Sequence, residues 1–187
     1  YTIDRQLISQ HVSFGTRKPL RSIVPPQLYK KEFSPWPKYN PEIARSLLKK
    51  EGYCAKDILS IPLTFRSNVP ADKLLALTWK DQIKRDLSDC IKISLNGVES
   101  TTVYKQLSEG AFEAVILDWT GAYPDPEAYL TPLLSCSEIE SNNCIKGEAV
   151  FSGTFWGDKK MQKQLEISEE LEGQDRLNTL IKVEQLA

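Results

Sequence analysis

The chain has a single histidine and a single methionine, and no apolar run approaches the ~18 residues a membrane helix needs. The histidine, His11, stands beside the apolar stripe of the first helical pattern, where a structural or solvent-exposed role is the simplest reading. A Ser-His-Asp relay or an H-E-x-x-H metal site would have to be built around it, and neither local motif occurs. The nine glycines are scattered, with no G-x-x-x-x-G-K and no G-x-G-x-x-G, which excludes the familiar phosphate cradles. Charge of either sign is not in excess: 24 basic side chains face 25 acidic ones. That balance argues against a nucleic-acid binder, which needs a basic surface for the phosphates. The densest basic stretch, Arg17, Lys18 and Arg21, is short, contains Pro19 and reads as a solvated loop. There is no C-x-x-C, and one histidine cannot complete a Cys/His zinc site by the usual spacings. No metal or cofactor is called for, and although carboxylates remain available for acid–base work, no spacing singles out a pair and no reaction is indicated.

What is present describes an ordinary globular protein. Of 187 residues, 41% are apolar and 26% charged, and one domain of this length buries roughly 70% of its unfolded surface. The pattern is of a single domain, residues 1–187. Tyr1 opens directly into a helical pattern and the last segment is still helical when the sequence stops, so a piece of a longer protein is expected. Ile3, Leu7, Ile8 and Val12 form one stripe over Ile3–Val12. Prolines 19, 25, 26, 35, 37 and 41 then exclude regular helix and central strand. Asn40-Pro41-Glu42 reads as an N-cap, a proline at the first helical position and an acid in the first turn.

The centre of the chain alternates. Strands are expected over Ile61–Arg66, Ile91–Leu95 and Phe112–Trp119, the last nearly all apolar and suited to burial on both faces. Helices are expected over Pro70–Leu87 and Thr101–Glu109. Strand-helix-strand-helix-strand at this spacing implies a parallel sheet, hence an α/β fold with helices on a largely parallel central sheet. Asp125-Pro126-Glu127 starts a further helix, and two more follow, divided by Gly173.

In open parallel sheets, ligands bind outside the carboxyl ends of the strands. The stretch after the third strand is the most unusual: Asp118, Trp119, Thr120, Gly121, Ala122, Tyr123, Pro124, Asp125 and Pro126. It presents two aromatics, a flexible glycine and two carboxylates. Each also has a plainer role. Asp125 before Pro126 is an N-cap, Trp119 can close one end of the core, and Tyr123 can pack in a turn. Asp118 ends a hydrophobic strand and must find a partner or stay hydrated. The four cysteines leave the compartment open. Cys136 and Cys144 flank a polar, turn-like stretch that a disulfide can close, and buried thiols are the alternative. Cys54 and Cys90 each precede a strand and can also meet, so their state stays open.

Several of these residues together resemble a known family. Tyr1-Thr2-Ile3-Asp4-Arg5-Gln6-Leu7-Ile8, the Val24-Pro25-Pro26 turn and Tyr39-Asn40-Pro41-Glu42-Ile43-Ala44-Arg45-Ser46-Leu47-Leu48 running into Glu51-Gly52-Tyr53 are similar to segments of the extracytoplasmic substrate-binding proteins of peptide-type ABC importers. So are Thr102-Val103-Tyr104-Lys105-Gln106-Leu107, Gly110-Ala111-Phe112-Glu113 and the Trp119–Pro126 stretch. The order and spacing of these segments hold across some 130 residues.

The resemblance implies a periplasmic-binding-protein type II lobe, the second of two that close on a solute. The first lobe and a C-terminal return segment would lie outside residues 1–187. It implies a monomeric receptor that is not an enzyme, with a peptide or similar small solute as ligand. Its partners would be ABC permease subunits, and its place periplasmic or extracytoplasmic, at the membrane through the transporter. It places Asp118, Trp119, Thr120, Gly121, Ala122, Tyr123 and Asp125 at the ligand, and it implies a Cys136–Cys144 disulfide. One departure stands out. Peptide binders of the family carry an amine-pairing aspartate three residues after the matching tryptophan, and this chain has Ala122. Either Asp118 or Asp125 substitutes, or the guest has no free amine, as a metal chelate, haem, opine or oligosaccharide would not. The alternative of a different class is an α/β hydrolase-like fragment using Asp118 and Asp125.

Overall fold

Three parallel strands, β1 (Leu59–Arg66), β2 (Ile91–Val98) and β3 (Ala114–Ile116), lie in the order β2-β1-β3 and organise the first of two units in the computed structural model, which describes all of Tyr1–Ala187. This unit comprises Tyr1–Pro19, Pro37–Tyr104 and Phe112–Leu117; the second comprises Leu20–Trp36, Lys105–Ala111 and Asp118–Ala187. The α/β architecture and the parallel sheet expected from the sequence are both present.

In the first unit, α1 (Arg5–Ser13) begins where the Asp4 carboxylate accepts the backbone N–H groups of Gln6 and Leu7. His11 on this helix is exposed. Helix α2 (Pro41–Lys50) starts as expected: Asn40 accepts the Ile43 N–H at 3.0 Å and Pro41 fills the first helical position. Strand β1 (Leu59–Arg66) leads into α3 (Pro70–Asp86), β2 (Ile91–Val98), α4 (Ser100–Leu107) and β3 (Ala114–Ile116). Pro62 stands in the part of β1 that only β2 flanks, because the β3 ladder begins at Leu63. A proline is tolerated where one side of a strand is unpaired. Leu63, Phe65, Ile83, Leu87, Ile91 and Ile93 are buried together as the core of this unit. The buried amide of Gln82 on α3 joins the start of α1 by accepting the Asp4 N–H and donating to the Asp4 carbonyl.

Strand β3 departs from the expectation for Phe112–Trp119. Only Ala114–Ile116 pair, all three are half-buried, and the strand lies at the sheet edge against Leu63–Phe65. An apolar run shows that a segment is buried somewhere, not how many neighbours it pairs with, and an edge strand pairs on one side only.

The cysteines that the sequence left open are bonded. Cys54 and Cys90 form a disulfide, with Cα atoms 4.0 Å apart. The register sets Leu59 beside Ile91, the residue after Cys90, and a turn closed by the Cys54 N–H on the Asp57 carbonyl at 3.1 Å precedes β1 and carries Cys54.

The second unit contains a 3-10 turn (Pro26–Tyr29), then α5 (Glu127–Leu134), β4 (Glu138–Glu140), β5 (Asn143–Lys146), α6 (Glu148–Phe151), α7 (Lys159–Glu169) and α8 (Gly173–Leu186). Val24, Tyr29, Leu130, Leu134, Met161, Leu165, Leu180 and Val183 form its buried core. The polar stretch between Cys136 and Cys144 is an antiparallel hairpin rather than an irregular loop. Ser141 and Asn142 both adopt positive φ, 47° and 67°, the conformation that two-residue hairpin turns require. The implied Cys136–Cys144 disulfide is formed, with both residues 2% exposed. Gly147 follows with φ 142°, and a Cβ there would lie 2.8 Å from the Cys136 Cα, so only glycine lets the strand pass.

Glu184 on α8 is 3% exposed. Its carboxylate accepts the Tyr29 hydroxyl at 2.8 Å and the Ile23 backbone N–H. Burial pushes its carboxyl up, and hydrogen bonding from Tyr29 and the Ile23 and Val24 backbone only partly opposes that. Burial, with the Glu184 charge adding to it, also raises the Tyr29 phenol. A raised carboxyl favours folding while it is protonated. Its contribution is therefore complete below the ordinary glutamate value of about 4.3 and is lost as pH rises through the higher folded value. Urea unfolding at several pH values should show a fall in stability above about pH 4.3 that is smaller in Glu184→Gln. An unchanged pH profile in the variant would contradict this assignment.

Candidate functional site

The last segment of the second unit begins at Asp118, and the stretch singled out in the sequence is built by its own backbone and by α5. The Trp119 indole N–H donates to the Ala128 carbonyl at 3.0 Å, which fixes a ring that stays 48% exposed. Gly121 faces the Tyr129 ring so closely that a Cβ at position 121 would sit 2.5 Å from Tyr129 Cε2. The Asp125 N–H donates to the Tyr123 carbonyl at 2.8 Å, closing a three-residue turn about Pro124 and leaving Tyr123 half-exposed.

The N-cap position of α5 falls to Pro126 rather than to Asp125 as expected, although the Asp125 carboxylate, one residue earlier, accepts the Glu127 N–H at 2.9 Å. That carboxylate also receives both Arg176 Nη groups, at 2.7 and 3.0 Å, and Arg176 reaches Glu127 at 2.5 Å. Burial alone would raise the Asp125 carboxyl. The hydrogen bonds from Arg176 and the Glu127 backbone outweigh it and hold the group below the ordinary aspartate range. Asp118 and Thr120 are exposed.

Gly121, Ala122, Tyr123 and Pro124 line a cavity of about 390 Å³ with Pro25, Gln27, Leu28 and Tyr129. None of these side chains is charged. Asp125 lines a different cavity of about 340 Å³, where Lys30 and Arg176 are the cations. The structure thus brings together the middle of the sequence-derived stretch, Gly121–Tyr123, while Asp125 lines a second cavity that shares Leu28 and Pro124 with the first. Asp118, Trp119 and Thr120 line neither cavity. Gln27, Leu28 and Arg176 were not singled out by sequence. The Val24-Pro25-Pro26 turn was the one signal near the first two; nothing marked Arg176, which lies 51 residues from Asp125. No group of three or more His, Cys, Asp or Glu side chains is placed to hold a metal ion. No helix is long and apolar enough to cross a membrane.

The fold is that of the type II periplasmic binding proteins. The Escherichia coli murein tripeptide-binding protein MppA matches 99% of this chain at a TM-score of 0.81 and 19% identity, over 35% of its own length. A dipeptide-binding protein from Pseudoalteromonas, solved with Met-Leu, matches 99% of the chain at 0.80 and 22% identity, again over 35% of its length. By sequence, Heme-binding protein A of Haemophilus influenzae is 30% identical over 153 residues, 78% of this chain and 27% of its own. Di/tripeptide-binding protein 4 of Pseudomonas aeruginosa is 30% identical over 169 residues, 84% of this chain and 29% of its own. The chain therefore spans less than a third of the length of these curated relatives. Residues 1–141 match the model of the bacterial extracellular solute-binding proteins, family 5, middle region, and the chain belongs to that family. These curated relatives are named as binding proteins.

Proposed function

We propose that this chain is most of the second lobe of a longer solute receptor. The receptor captures a peptide or similar small solute between two lobes and hands it to the permease subunits of an ABC importer. Family membership across residues 1–141 is the observation that carries the reading. The cavity beside Gly121–Tyr123 supports it, because that stretch is where the resemblance places the ligand. The receptor acts outside the cytoplasm as a monomer and meets the membrane through its transporter. It catalyses no step. Of the two carboxylates an enzyme reading would use, Asp125 is engaged by Arg176, and the lone His11 is exposed on α1.

Affinity in such a receptor comes from contacts made only when both lobes close. The full-length receptor should bind the solute that co-purifies with it at least 100-fold more tightly than residues 1–187 alone, measured by calorimetry. Submicromolar binding by the 187-residue chain would contradict the two-lobe reading. In a full-length version keeping Trp119 as the one tryptophan of this segment, solute should change its emission. An unchanged spectrum would count against Trp119 at the ligand.

A further inference from the structure

The two disulfides have opposite electrostatic surroundings. The Cys90 sulfur accepts from Arg45 Nη1 at 3.4 Å, and the guanidinium is fixed there by a 2.7 Å hydrogen bond from Nη2 to the Asp86 carbonyl and by its ion pair with Asp89. The Cys136 sulfur instead lies 3.0 Å from the Glu138 carbonyl oxygen and 3.4 Å from that of Lys146, and the Cys144 sulfur lies 3.5 Å from the latter. When a disulfide is attacked, one sulfur leaves with the bonding pair as a thiolate, and it leaves faster where that thiolate is stabilised. A guanidinium favours the negative charge, and carbonyl oxygens oppose it. Access differs in the same sense. Cys136 and Cys144 are both buried, whereas Cys54, the partner of the fully buried Cys90, is half-buried and is followed by the exposed residues 55–58.

We propose that Cys54–Cys90 is a thiol-exchange site that takes a dithiol reductant, with Cys54 the sulfur attacked and Arg45 stabilising the departing Cys90 thiolate, while Cys136–Cys144 exchanges slowly. A thiolate of the dithiol bonds to the Cys54 sulfur as the Cys54–Cys90 bond breaks, and the electron pair leaves on Cys90. The second thiol of the dithiol loses its proton to solvent and attacks the first sulfur of the dithiol, releasing Cys54, which takes up a proton. The dithiol ends as a disulfide, and two electrons have passed to the protein pair. The difference between the two bonds is one of rate. The stability that a closed bond contributes sets its equilibrium and does not decide which bond opens first. This chemistry goes beyond solute binding and does not depend on it.

The test treats the folded full-length protein with dithiothreitol at neutral pH, stops aliquots with acid, labels free thiols in denaturant with N-ethylmaleimide and maps the labelled peptides by mass spectrometry. Cys54 and Cys90 should open at least about tenfold faster than Cys136 and Cys144. Arg45→Gln should slow the first pair at least about threefold and leave the second unchanged, since the leaving thiolate loses its cation. Loosened packing alone would quicken opening, so the direction of the change separates the two roles of Arg45. Asp89→Asn, at an exposed position, removes the carboxylate that competes for the guanidinium. It should speed the first pair at least about twofold. With 2-mercaptoethanol in place of the dithiol, the acid-stopped adduct should stand on Cys54. Equal rates for the two bonds, faster opening of Cys136–Cys144, an Arg45→Gln variant that opens as fast as the parent, or an Asp89→Asn rate that does not rise would overturn the proposal. An adduct on Cys90, or on neither cysteine, would overturn the choice of Cys54.

Discussion

Replacing Asp72 with asparagine is expected to destabilise the protein by about 3–5 kcal/mol, the cost of removing one partner from a buried ion pair. The pair joins the end of β1 to the first turn of α3. Arg66 Nε donates to Asp72 at 2.6 Å and Nη2 donates at 3.0 Å, with both residues 6% exposed. Arg66 Nη1 also donates to the Tyr104 hydroxyl at 2.8 Å. Asparagine fills the same space but removes the charge, so the buried guanidinium loses the ionised partner that accepts its Nε and Nη2 groups. Asp72 also lies in the first helical turn, where a negative charge is favoured by the helix dipole. Replacing both partners, Arg66→Met with Asp72→Leu, should cost less, because neither charge of the pair is then left to desolvate. Urea unfolding followed through Trp79, whose ring packs against the core of this unit, reads both variants. A loss below about 1 kcal/mol in Asp72→Asn would place the pair among exposed ion pairs and contradict its burial.

Removing the two disulfides should have unequal effects. The Cys54–Cys90 bond spans 36 positions and the Cys136–Cys144 bond spans 8. Loop-closure entropy gives about 4 kcal/mol for the first and about 2.5 kcal/mol for the second. The double variant Cys54→Ala/Cys90→Ala should therefore unfold at lower urea than Cys136→Ala/Cys144→Ala. In the parent, alkylation under non-reducing denaturation should label none of the four cysteines. The reverse order of stability, or labelling at any of the four, would contradict these assignments.

Much of the sheet was legible because its signals are local. Ile61, Leu63 and Phe65 alternate, Asn40-Pro41-Glu42 carries its own cap, and the spacing of strands and helices admits little besides parallel pairing. What escaped depends on partners far away in sequence. The extent of β3 is set by how much of β1 it meets, which an apolar run cannot report. Cys54 and Cys90 meet through the β1–β2 register together with the turn over 54–57, and neither is announced by the residues around the cysteines. The β4–β5 hairpin is three and four residues long, and its turn, Ser141-Asn142, is polar enough to read as loop. At the candidate site, the aromatic and glycine content of Trp119–Tyr123 drew attention to a stretch whose middle, Gly121–Tyr123, lines a cavity. The contact between Gly121 and Tyr129 and the capture of Asp125 by Arg176 have no local spacing to announce them. The second changes the chemistry most, since it separates a carboxylate from the cavity beside it in sequence.

Native mass spectrometry of the full-length receptor, purified without added ligand, tests the central claim most directly. The account predicts a retained solute that is released on denaturation and recovered chemically unchanged after prolonged incubation with fresh protein. Recovery of the solute as a cleaved or otherwise altered product, lost in Asp118→Asn, would contradict it and make this chain part of an enzyme.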